Sequence, residues 1–158
     1  MLEGLRRRVE NHLRRRPALR EDRHGKPVDL EVQAATAILL LEAAHGDEEY
    51  VWREHRTILR GLERGFGIGR AETLELLGRA EEIRPPVVRL ADVTELITER
   101  YTREQRQSIV SLLWKVIDAD GVLAAWEAVF ASHVARAVGL SPEEAEAARR
   151  GTEAPAAG

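Results

Sequence analysis

The chain reads as all-α: a bundle of seven to eight helices arranged as two similar halves related by a rough pseudo-twofold. Three observations predict this. Ala, Leu, Glu and Arg dominate the 158 residues, aromatic residues make up only 4%, and β-branched residues are sparse, which is the composition of helices. Apolar residues recur at helical spacing, and no segment alternates as a strand does. A short pattern also occurs twice: residues 39–54 read LLLEAAHGDEEYVWRE and residues 112–127 read LLWKVIDADGVLAAWE. Leu39, Asp47 and Glu54 match Leu112, Asp120 and Glu127 at a constant offset of 73.

The elements follow from the punctuation. Leu2, Leu5, Val9 and Leu13 form the stripe of an N-terminal helix, broken by Pro17 and by Gly25-Lys26-Pro27. Residues 1–28 are thus expected to be a basic helix and linker. Asp29 is placed to cap a helix over 30–45, whose centre AATAILLLEAA is apolar nearly all round and belongs in the core. A turn near Gly46 leads to an amphipathic helix over 50–66 carrying Val51, Ile58, Leu59, Leu62 and Phe66, ended by Gly67 and Gly69. Leu74 and Leu77 mark a helix over 70–83, which Arg84-Pro85-Pro86 interrupts. Asp92 with Glu95 and Thr102 with Gln105 have the form of capping boxes, opening helices over 92–101 and 103–119. The latter, with Ile109, Leu112, Leu113, Val116 and Ile117, is the counterpart of the first buried helix. Val129, Phe130, Val134 and Val138 define a helix over 124–138, and Ser141-Pro142-Glu143-Glu144 starts one over 142–150. Residues 151–158 are expected to be a disordered tail.

Composition limits the function classes. With 44% hydrophobic and 32% charged residues the chain is expected to be a soluble single domain, and at this length it needs no disulfide or metal to fold. Its lack of cysteine removes thiolate zinc sites, thiol catalysis and redox switching. The longest uncharged run, residues 32–41, is about half of a membrane-spanning helix, and the N-terminus has no signal-peptide core, so a cytoplasmic setting is expected. Charge is uneven. Residues 1–26 hold nine Arg/Lys against four acids, while the whole chain carries −3. Residues 2–16 could contact a membrane surface. Nucleic acid is disfavoured, because no aromatic residue interleaves with the arginines. The blander reading docks the stripe on the core and leaves the arginines solvated.

The repeated corners are the candidate site. Each places an Asp at the end of an apolar segment and a Glu seven residues on, and Asp and Glu oxygens suit calcium, magnesium or manganese. If the corners meet, Asp47, Glu54, Asp120 and Glu127 would pool into one metal site, with His45 and Asp118 nearby. Asp118-x-Asp120-Gly121 followed by Glu127 reproduces part of an EF-hand loop, but position one would be Val116, which cannot ligate. The competing reading makes Asp47 and Asp120 ordinary helix caps and the glutamates solvated or Arg-paired. His55 and His133 read as partly buried structural histidines. Trp52 and Trp126 read as core or groove-lining residues, and Trp114 as core. No H-E-x-x-H, nucleophile elbow, P-loop or dinucleotide pattern is present, so no catalytic residue is assigned.

The order of apolar helix, Ala119-Asp120-Gly121 corner, Glu127 and Gly139-Leu140-Ser141 resembles the TerB-like family over residues 29–150. That family of small helical proteins includes the tellurite-resistance TerB proteins and the N-terminal domain of some membrane-anchored DnaJ-like chaperones. In the first half Gly46-Asp47-Glu48 stands where the family prefers Ala-Asp-Gly, and Phe66-Gly67-Ile68-Gly69 stands for Phe-Gly-Leu-Ser. The resemblance implies a seven- or eight-helix fold, a metal-responsive, stress-linked role and no enzymatic activity. The function expected is a cytoplasmic interaction module tuned by a divalent cation. Its protein partner is unidentified, and a homodimer is among the candidates. The alternatives are a carboxylate metal-binding protein and a membrane or nucleic-acid adaptor working through the first helix.

Overall fold

A computed structural model describes residues 18–45, 52–119 and 125–153. The expected N-terminal helix and both corners, residues 46–51 and 120–124, lie outside them. The described residues form seven helices: α1 (Leu30–His45), α2 (Trp52–Phe66), α3 (Arg70–Ile83), α4 (Leu90–Arg100), α5 (Arg103–Asp118), α6 (Ala125–Ala137) and α7 (Pro142–Glu153). No strand occurs among them, only an isolated bridge between Glu21 and Pro27.

Helix α1 is the hub, packing on α2, α3, α4, α5 and α6. An apolar helix of this kind is stable only where neighbours cover every side, and they do. Ile38 and Leu41 are 2% and 1% exposed, and Leu113 and Val116 on α5 are fully buried, as the two apolar runs require. Helix α2 packs on both α1 and α5, and so does α6. Gly61 faces the Leu112 side chain across the α2–α5 contact, where a Cβ would oblige that leucine to shift.

The caps account for most of the boundaries. Asp29 accepts the Val32 N–H at 3.0 Å and opens α1. Thr102 and Gln105 form a reciprocal capping box at α5, and Ser141 and Glu144 do the same at α7. Helix α6 ends at Ala137 and the chain turns away at Gly139, whose φ of 78° is the left-handed conformation that glycine tolerates best.

Several expectations need correction. Asp92 does not cap α4, which starts earlier at Leu90 behind Arg89, with Asp92 inside the first turn. Leu90 packs against the core, and that contact draws the helix start towards the N-terminus. Leu74 is exposed, because α3 buries the Thr73–Leu76–Leu77–Ala80 stripe. Val129 points outward from the Ala131–Val134–Ala135–Val138 face of α6. His133 is exposed rather than partly buried, whereas His55 is half-buried. The expected linker carries Leu19 into the core at 2% exposure, and α7 continues three residues past 150.

Candidate functional site

Glu54 and Glu127 occupy the third position of α2 and α6, and both are buried, at 6% and 4% exposure. Their burial follows from register. Glu54 precedes Ile58 and Leu62 by one and two turns, and Glu127 precedes Ala131 and Val134 on the buried stripe of α6. Each glutamate thus sits where the pattern calls for an apolar side chain. A carboxylate out of water is costly unless it is compensated, and neither of these is isolated: both are engaged in interactions. The unpaired N–H groups and positive dipole end of the first helical turn favour negative charge at this position.

The remaining candidates are dispersed. Asp47 and Asp120 lie outside the described residues. The His45 imidazole meets Glu81 at 2.7 Å, and Glu81 also faces Arg84 at 3.6 Å. Arg84 Nε donates to Glu42 at 2.7 Å. This Glu42–Arg84–Glu81–His45 chain joins the C-terminal ends of α1 and α3. Asp118 is exposed at the end of α5. Among the described residues, helices α2 and α6 do not pack on each other, and no three His, Asp or Glu side chains form a metal-holding group. Val116, which an EF-hand would need as a loop ligand, lies fully in the core. Trp114 is buried beneath the Arg149 guanidinium, 4.6 Å from the ring centroid. Trp126 is half-buried, tilted 55° against Phe130, and its indole N–H is buried without a hydrogen-bond partner.

A second feature has no forerunner in the sequence reading. A cavity of about 880 Å³ opens between α1, α3 and α4. Its lining includes Leu30, Ala34, Ile38, Leu76, Ile83 and Leu96, and Leu30 remains 59% exposed. Five acids, Glu31, Glu82, Asp92, Glu95 and Glu99, stand at the cavity with one cation, Arg79. The signal was present as acids four and seven residues apart along α4, but the groove itself is made by the spacing of three helices.

Elsewhere, two of the shifted carboxylates are capping groups, while Asp22 is held down by the Lys26 and His24 N–H groups of a turn. The Val32 N–H, helped by Arg100, holds Asp29 below its ordinary value. The Ser141 N–H and hydroxyl, with Arg103, do the same for Glu144. Burial pushes the Tyr101 phenol up, and its hydroxyl donates to the Leu19 carbonyl at 2.8 Å.

No curated protein matches the chain. Among solved structures, it resembles the crystal structure of a protein of unknown function from Porphyromonas gingivalis, with a TM-score of 0.61 at 17% identity. The alignment covers 80% of this chain and 91% of that one, and at this identity the likeness is one of fold. The family model of the tellurite resistance protein TerB matches residues 33–150, most of the seven-helix body, and the chain belongs to that family.

Proposed function

We propose that this TerB chain is a non-enzymatic helical interaction module whose state responds to a divalent cation held by Glu54 and Glu127 together with Asp47 and Asp120. The observation that carries the reading is the pair of buried glutamates at matching helix positions, 73 residues apart. Core packing alone would place apolar side chains there. Grouped carboxylates repel one another, and a hard cation with oxygen ligands relieves that repulsion. His45 and Asp118 are auxiliary in this scheme, since His45 already faces Glu81. The family's description supports a link to tellurite or a related stress. A cysteine-free chain suits a reducing, cytoplasmic compartment.

Thermal melting in chelator and in millimolar calcium, magnesium or manganese tests the proposal. One of the cations should raise the melting temperature, since it binds only the folded state. Asp120→Asn combined with Glu127→Gln should abolish that rise and slightly stabilise the metal-free protein. Identical curves in all conditions would leave Asp47 and Asp120 as helix caps and remove the cation from the proposal.

A further inference from the structure

The acid-rimmed groove between α1, α3 and α4 and the basic segment that precedes the described body are complementary. We infer that residues 2–16 of the same chain dock into this groove as a helix, covering it from within the molecule. Three observations support this.

The first is charge. The groove carries five acids against one arginine. Residues 2–16 carry Arg6, Arg7, Arg8, Arg14, Arg15 and Arg16 against Glu3 and Glu10. Among the described residues, no ion pair engages Glu31, Glu82, Glu95 or Glu99, whereas most acids elsewhere on α1 and α3 have an arginine or histidine. The second is shape. Leu2, Leu5, Val9 and Leu13 fall on one helical stripe, and Arg6 and Arg8 flank it on opposite sides. Such a helix lays its aliphatics on an apolar floor and reaches acids along both walls, the helix-in-groove mode of recognition. The exposed Leu30 and Ile83 edges supply that floor.

The third is where the chain enters. The Ala18 carbonyl accepts from Gln105 at 3.0 Å, and the Leu19 carbonyl accepts from Tyr101, the residue after α4. The Arg23 N–H donates to the Arg100 carbonyl at 2.7 Å. Residue 18 is therefore anchored near the C-terminal end of α4 and the start of α5, and the Leu19 N–H also ties it to the Gly65 carbonyl in the last turn of α2 at 2.8 Å. Fifteen helical residues span about 22 Å and the eleven of α4 about 16 Å, so a helix running back from Pro17 is long enough to cover the row Glu99, Glu95, Asp92. Docked there, the segment runs parallel to α4 and keeps other basic amphipathic helices out.

The native chain has no cysteine, so Arg8→Cys in the full-length protein provides a single attachment point for a nitroxide. Position 8 flanks the stripe and leaves it intact. The label should broaden the methyl signals of Leu30, Ile83 and Leu96 at every protein concentration. A second protein carrying Glu95→Arg and Glu99→Arg as well should recover those signals. Both positions are exposed, so the fold should tolerate the change. Three results would overturn the inference: unbroadened groove methyls, broadening that survives the charge reversal, or broadening only between mixed labelled and unlabelled copies. The last would make the occupant a second copy. A segment taken up by anionic vesicles while the groove methyls never broaden would point to a membrane instead.

Discussion

Two sets of acidic residues in this protein differ in what surrounds them. Glu54 and Glu127 are nearly fully buried in the first turns of their helices. Glu31, Glu82, Glu95 and Glu99 are exposed beside an apolar groove. A carboxylate in the core is stabilised only by close, directional partners, so the partner proposed for each of these is a small ligand such as a cation. Carboxylates in water interact weakly with any single partner but collectively steer and orient a cationic surface. On the two readings proposed, it is surroundings rather than residue type that would separate an ion site from a docking rim.

The largest expected effect tests the scaffold that both regions share. Leu113→Ala, in the centre of α5, should cost about 2–5 kcal/mol in denaturant unfolding. A loss below about 1 kcal/mol would place the core elsewhere. Next comes the cation: at roughly a hundredfold excess over its dissociation constant it should add about 2.7 kcal/mol to the unmodified protein. Glu54→Gln should remove most of that gain in thermal melts, whereas Glu95→Gln should retain it. If Glu95→Gln abolished it instead, the contrast between buried and rim acids would be reversed. Thr102→Ala removes half of the capping box at α5 and should cost about 1 kcal/mol. That change should leave the cation response intact, because it lies far along α5 from the second corner.

The smallest effect concerns a third class of acid, the caps Asp29 and Glu144. Their folded values lie below the ordinary carboxylate range, through the Val32 N–H at Asp29 and the Ser141 N–H at Glu144. Their stabilisation is therefore complete above that range and is lost as pH falls through the depressed folded values. In an acid melting series, Asp29→Asn, which still caps but loses the charge paired with Arg100, should lower stability slightly at neutral pH and converge with the unmodified protein at acid pH, flattening part of this decline.

The architecture was highly legible, and the site only in part. The runs around Leu39 and Leu112 are too long and too apolar to be anything but core, and the caps at Asp29, Thr102 and Ser141 mark helix starts by local chemistry alone. Asp92 and Glu95 have the same local form, yet α4 begins at Leu90, a half-buried residue packed against the core, so local form alone did not place the start. The burial of Glu54 and Glu127 was readable in principle from their register with Ile58 and Ala131. The groove was not, because Leu30, Ile83 and Leu96 lie on three helices and share a surface only once these have packed.

The anchoring of Leu19 and Ala18 by Tyr101 and Gln105 has a consequence for any competing ligand. It fixes the base of a short tether at one end of α4, so whatever residues 2–16 present meets the neighbouring faces at an effective concentration on the order of millimolar. At that local concentration even a weak self-contact stays mostly formed. If residues 2–16 dock as inferred, a partner present at micromolar levels has to bind about a thousandfold more tightly than they do to displace them.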